Sequence, residues 1–162
     1  MATEGGGVLI NQSIHTLDLM QWLMGDVISV KGHAFTDRNE DYLDVEDTAC
    51  INLSFANGIT GLFYATVNYC ENSSISLEIT GTKGTASLSG SNLEVAYSDG
   101  TTEKICDDSV NRIKSYWGTS HPAIIADFYD NINEKPFWIS PREAMKTLRI
   151  IKEVQRQSGY IE

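Results

Sequence analysis

Apolar positions along the chain change period twice, dividing it into a helix, a run of strands and two further helices. Ile14, Leu17, Leu19, Met20, Trp22 and Leu23 crowd one broad side of a helix predicted over Gln12 to Met24. Gly25 ends it, since glycine takes a left-handed conformation without a Cβ clash. So wide an apolar side predicts a helix buried between layers.

Alternation with a period of two then takes over. Val27 to Phe35 reads as a strand, and the charged segment Thr36 to Val45 as a loop. Ala49, Ile51, Leu53 and Phe55 alternate with Cys50, Asn52 and Ser54, and Ala56-Asn57-Gly58 turns the chain. Leu62, Tyr64 and Thr66 alternate with Phe63, Ala65 and Val67, so this strand is apolar on both faces over part of its length. Ile75, Leu77 and Ile79 alternate with Ser76 and Glu78. Thr82-Lys83-Gly84, Gly90-Ser91-Asn92 and Ser98-Asp99-Gly100 separate strands carrying Ala86 and Leu88, then Leu93, Val95 and Tyr97, then Ile105. Short alternating runs joined by glycine turns describe an antiparallel meander.

The last third is helical. Thr119 or Ser120 caps a helix through Asn133, with Pro122 tolerated in its first turn and Ile124, Ile125, Phe128 and Ile132 as its apolar stripe. Ser140-Pro141-Arg142-Glu143 is a capping box, in which the Ser140 hydroxyl accepts from the Glu143 amide while the carboxylate reaches back. Ala144, Met145, Leu148, Ile151 and Val154 line one face of the helix that follows, and Gly159 stops it. The expected class is α+β, a large, mostly antiparallel open sheet with helices packed on one face.

Composition narrows the partners. The 162 residues suit one domain, spanning 1–162. Twelve Lys and Arg face twenty-two Asp and Glu, a net charge of -10, and such a surface repels phosphate backbones, so no nucleic-acid partner is expected. No apolar run reaches the roughly 20 residues a membrane span needs. The start Met1-Ala2-Thr3-Glu4-Gly5 lacks the basic and apolar stretches of a secretory signal. Cys50, Cys70 and Cys106 are odd in number and widely spaced, which argues against a disulfide framework and for a reducing, cytoplasmic setting. None forms a CxxC pair, so no zinc site is expected. The acidic run Glu40, Asp41, Asp44, Glu46 and Asp47 lacks the oxygen spacing and central glycine of a calcium loop and reads as a solvated loop.

The densest chemical signal begins at Gly5-Gly6-Gly7 and runs through Asn11, His15 and Asp18. Asn11 and His15, four apart on a helix, share one face one turn apart. An amide and an imidazole so placed suit a polyol, the amide fixing a hydroxyl and the histidine taking its proton. The competing reading makes Asn11 a helix cap and His15 a hydrogen-bonded core histidine. The glycines are not a phosphate loop, because GxGxxG is absent and no P-loop lysine follows. His33, in a strand, reads as structural or solvent-facing.

The segment Glu4 to Leu19, with Trp22-Leu23-Met24-Gly25, resembles the start of the C-terminal domain of the glucose-fructose oxidoreductase / inositol dehydrogenase / rhizopine-catabolism (Gfo/Idh/MocA) family. Tyr116-Trp117-Gly118-Thr119-Ser120-His121, with Ile125, Asp127-Phe128 and Ile132, resembles it too, as does the helix from Pro141 to Ser158. The resemblance implies a two-domain NAD- or NADP-dependent oxidoreductase acting on sugars, polyols and their derivatives. In it, this chain is the substrate-binding and oligomerisation domain, and the dinucleotide-binding domain lies upstream of it. His15 is then the catalytic acid/base, Asn11 a substrate-positioning residue, and His121 and Trp117 weaker candidates for contact with the sugar. Many members carry Asp at the position of Asn11, and an amide cannot take a proton at neutral pH. Ser13 stands where Gly is common. The resemblance further implies a homodimer or higher oligomer through the open sheet face. Taken alone, the chain is expected to bind no dinucleotide and to show no turnover. The alternative is a non-enzymatic α+β domain that binds a carbohydrate or a protein.

Overall fold

Residues 6–38, 44–71, 73–106, 121–133 and 139–161 are described by a computed structural model. Their elements run α1 (Val8–Asn11), α2 (Ile14–Met24), β1 (Val27–Phe35), β2 (Thr48–Phe55), β3 (Thr60–Thr66), β4 (Ser76–Gly81), β5 (Gly84–Ser89), β6 (Asn92–Tyr97), β7 (Thr102–Cys106), α3 (His121–Asp130) and α4 (Pro141–Gln157). The class is α+β, as expected. The meander, however, is hydrogen-bonded as two antiparallel sheets, β1-β2-β3 and β4-β5-β6-β7. The chain divides accordingly into two units, Met1–Cys70 with Trp138–Glu162, and Glu71–Phe137.

In the first unit β1 pairs with β2 from Val27 opposite Phe55 to Phe35 opposite Thr48, with an irregularity between Val27 and Ser29. β2 pairs with β3 from Thr48 opposite Thr66 to Ser54 opposite Thr60. The period-two pattern sends Ala34, Ala49, Ile51, Leu53, Phe55 and Phe63 into the core. Leu17 and Met20 of α2 and Ile150, Ile151 and Val154 of α4 are buried with them. Removing each of the larger of these side chains from water contributes about 1.5–3 kcal/mol. The opposite face carries Lys31, His33, Cys50, Asn52, Leu62 and Tyr64, all exposed. His33 stacks on Phe35 with ring centroids 5.5 Å apart.

Two helical expectations are corrected here. α2 is not buried between layers, because Trp22 and Leu23 are exposed, at 70% and 43%. α4 buries Thr147, Ile150, Ile151 and Val154, so its inner face is turned away from Ala144 and Met145. On that face the Thr147 hydroxyl donates to Asp18 Oδ1 of α2 at 2.6 Å. The Ser140 cap forms as expected, accepting from the Glu143 amide at 3.3 Å, while the Glu143 carboxylate goes to Lys146 at 2.7 Å. At its other end α4 covers the free edge of β1. Gln157 accepts from the Gly32 amide at 3.1 Å and donates to the Val30 carbonyl at 2.9 Å, and the Ser158 hydroxyl accepts from the Ala34 amide at 2.8 Å.

In the second unit the hairpin registers align Leu77, Leu88, Leu93 and Ile105 in one row and Ile79, Ala86 and Val95 in the next. α3 exposes its predicted stripe, with Ile124, Ile125, Phe128 and Ile132 all open to solvent. Its expected cap, Thr119 or Ser120, lies outside the described residues. Among the described residues no helix is long and apolar enough to cross a membrane.

Candidate functional site

The helix expected over Gln12 to Met24 is present as α2, starting two residues later at Ile14, and the short α1 before it, which the pattern did not predict, makes a bent unit with it and the glycine run. α1 ends at Asn11 and α2 starts at Ile14, so Asn11 and His15 belong to different helices. The break comes from Ser13. Its hydroxyl donates to the Val8 carbonyl at 2.8 Å, and that same oxygen receives the Gln12 amide at 3.1 Å and the Ser13 amide at 3.0 Å. A serine side chain that competes for the ladder in this way interrupts a helix. Leu17 and Thr16 amides then both donate to the Ser13 carbonyl at 3.1 Å, which starts α2 afresh. Asn11 and His15 flank the Gln12-Ser13 link, and both are exposed. The Asn11 side chain is not a cap of α2: its Nδ2 donates back to the Gly6 carbonyl at 2.5 Å. An exposed His15 is not the enclosed core histidine of the competing reading.

Glu46 fixes the start of this unit. Its carbonyl accepts from the Val8 amide at 2.8 Å, and its carboxylate Oε1 accepts from the Leu9 amide and from Gln155 Nε2 of α4, each at 3.4 Å. A Cβ on Gly7 would overlap the Glu46 carboxyl group, so Gly7 answers a close approach. Gly6 has φ 74°, which favours glycine for a separate reason.

The acidic run is therefore not a solvated loop throughout. Glu46 is 2% exposed and Asp47 1%. Asp47 accepts from the Asp37 amide at 2.9 Å, the Thr48 hydroxyl at 2.9 Å and the Arg38 amide at 3.4 Å. Burial pushes its carboxyl pKa up, but the Asn68 side chain, the Asp37 amide, the Thr48 hydroxyl and the Arg38 amide outweigh it and hold the pKa at about 2. Sequence patterning could not single out Glu46 and Asp47, because their partners lie up to 109 positions away.

The weaker candidates fall elsewhere. His121 is the exposed first residue of α3 in the second unit. Trp117 lies outside the described residues. Asp18 holds α4 through Thr147, a structural contact. Among the described residues no group of three His, Cys, Asp or Glu side chains is placed to hold a metal ion.

Comparison with known proteins bears on this geometry. A family model described as "Oxidoreductase family, C-terminal alpha/beta domain" matches residues 2–159. No curated protein matches the sequence. Among solved structures, UDP-N-acetylglucosamine 3-dehydrogenase from Acidithiobacillus ferrooxidans superimposes with a TM-score of 0.74 at 18% identity, over 93% of this chain and 47% of that one. The WlbA dehydrogenase from Bordetella pertussis, in complex with NADH and UDP-GlcNAcA, gives 0.68 at 26% identity, over 95% of this chain and 46% of that one. Levoglucosan dehydrogenase, in complex with NADH and levoglucosan, gives 0.71 at 22% identity, over 95% and 50%. The chain thus spans about half the length of each structure it matches.

Proposed function

This chain belongs to the Gfo/Idh/MocA oxidoreductase family as its C-terminal α/β domain, and we propose that it is the substrate-binding half of an NAD- or NADP-linked enzyme. The reaction proposed is oxidation of a secondary alcohol on a sugar, a polyol or a derivative of one. The observation that carries this reading is that Asn11 and His15 are both exposed, one on either side of the bend that follows the glycine run. The sugar ligands named for the WlbA and levoglucosan structures support the substrate class.

The glycine run does not fit a dinucleotide phosphate. The amides that follow it, of Val8 and Leu9, are already taken by the Glu46 carbonyl and side-chain oxygens, so neither is open to a phosphate. In this reading the dinucleotide is held outside this chain and supplies the hydride acceptor. The chain's own residues act on the alcohol oxygen. Asn11, oriented by its bond to the Gly6 carbonyl, hydrogen-bonds a substrate hydroxyl but takes no proton. Histidine exchanges protons near neutrality, so removal of the hydroxyl proton falls to His15. His121 and Trp117 are proposed as further sugar contacts in the intact enzyme.

A second copy of the chain is the proposed partner on the outer face of β1-β2-β3. Leu62 and Tyr64 are 66% and 63% exposed on that face, beside the small side chains of Cys50 and Asn52. The cytoplasm is the proposed compartment. The catalytic reading is tested by His15→Ala in the intact enzyme, where turnover should fall by about 100-fold or more, the scale of a lost general acid/base. Near-normal turnover would show that another group moves the proton.

A further inference from the structure

Three observations converge on one buried acid. Glu46 is 2% exposed, in a chain whose other carboxylates of the run Asp44 to Asp47 include the separately satisfied Asp47. Its backbone and side chain take the first two amides of α1, Val8 and Leu9. Its carboxylate also receives Gln155 from α4, so α1 is tied at one point to both the strand β2 that Glu46 precedes and the long helix. Gly7 leaves the room this needs, since any side chain there would overlap the Glu46 carboxyl group.

The tie reaches the candidate site through one carbonyl. Val8 donates its amide to Glu46, and its oxygen collects the Gln12 amide, the Ser13 amide and the Ser13 hydroxyl. Those three bonds set the bend between α1 and α2. Asn11 lies on one side of that bend and His15 two residues beyond Ser13 on the other. The Val8 amide is held by the backbone carbonyl of Glu46, so the carboxylate's own grip on α1 is the Leu9 amide next to Val8.

We propose that Glu46 is a positioning residue, fixing the α1–α2 bend and through it the placement of Asn11 and His15. The consequence for catalysis rests on the reading of His15 as the proton acceptor; the structural tie does not. Glu46 is too enclosed to touch substrate, so it acts only through the bend.

The test has two arms. In this chain, amide hydrogen exchange is followed residue by residue in Glu46→Ala. Exchange over residues 8–17 should quicken by at least about 10-fold, while Ile51, Leu53, Ile151 and Val154 keep their protection, because only the local opening is made easier. Unchanged exchange over residues 8–17, or equal quickening throughout the first unit, overturns the proposal. Should Glu46→Ala fail to fold, Gln155→Ala removes one tie on the same carboxylate and should loosen the same residues to a smaller extent; protection there equal to the parent overturns the proposal. In the intact enzyme, Glu46→Ala should lower kcat by at least about 10-fold, since small misplacements of a reacting group are costly. Glu46→Gln, which keeps an oxygen for the Leu9 amide, should recover most of it. Combining Glu46→Ala with His15→Ala should lower kcat by less than the product of the two separate losses, because the part that acts through His15 is already gone. Additive losses overturn the positioning role. Normal turnover in His15→Ala overturns the catalytic reading alone and leaves the exchange result standing.

Discussion

Asp47 offers the sharpest test of the packing around the candidate site. Its carboxylate is 1% exposed and receives two backbone amides, the Thr48 hydroxyl and the Asn68 side chain. Its pKa is held down from 3.8 to about 2, which at about 1.4 kcal/mol per pH unit contributes about 2–3 kcal/mol to folding at neutral pH. A folded-state pKa below the unfolded one means stability that is present above the unfolded value and is lost as pH falls through the folded value. In Asp47→Asn the charge is gone and an amide NH2 faces at least one donor, adding about 1 kcal/mol. The variant should therefore lose about 3–4 kcal/mol at pH 7 in urea unfolding followed by tryptophan fluorescence. By pH 3, between the two pKa values, the charge-dependent part of the gap between parent and variant should shrink to roughly half. A gap below about 0.5 kcal/mol at pH 7, or one that does not narrow by pH 3, would refute the reasoning.

Thr147→Val keeps the shape of the side chain but deletes the 2.6 Å bond to Asp18. It should cost about 1–2 kcal/mol, read as a lower urea midpoint at unchanged slope. Light scattering after size exclusion at micromolar concentration should give a dimer mass for the chain, with at least about 1,200 Å² buried in total. Arg at Leu62 or Tyr64, both outward, should return a monomer with its circular dichroism unchanged, and a monomer mass for the parent would reject the interface.

The strands were legible because each hairpin carries its own turn and its own alternation. Ala49 to Phe55 buried the side chains that the period demanded, and Ser140-Pro141 marked the start of α4 to the residue. What escaped the sequence depended on partners distant in the chain. The helix read from Gln12 to Met24 starts at Ile14, because Ser13 turns its hydroxyl to the Val8 carbonyl, and the short α1 before that bend was not read at all. Glu46 and Asp47 look like neighbours of Glu40 and Asp41 in a charged loop, yet backbone amides waiting at α1 and at Asp37 draw them inward. Thr147 is polar and so drops out of any apolar stripe, although it is buried on the inner face of α4 with its hydroxyl bonded to Asp18. The proposed site residues Asn11 and His15 were named from their spacing; their arrangement on a bend between two helices was not foreseen, since a four-residue spacing fits one continuous helix equally well.

The most direct measurement is a crystal structure of the intact enzyme with its dinucleotide and an alcohol substrate bound. The account predicts a ring nitrogen of His15 within about 2.6–3.2 Å of the hydroxyl on the reacting carbon, with the Asn11 amide on a hydroxyl of the same molecule. A substrate bound in line with the dinucleotide, its reacting hydroxyl held by another side chain and His15 beyond the reach of one bridging water, would contradict it.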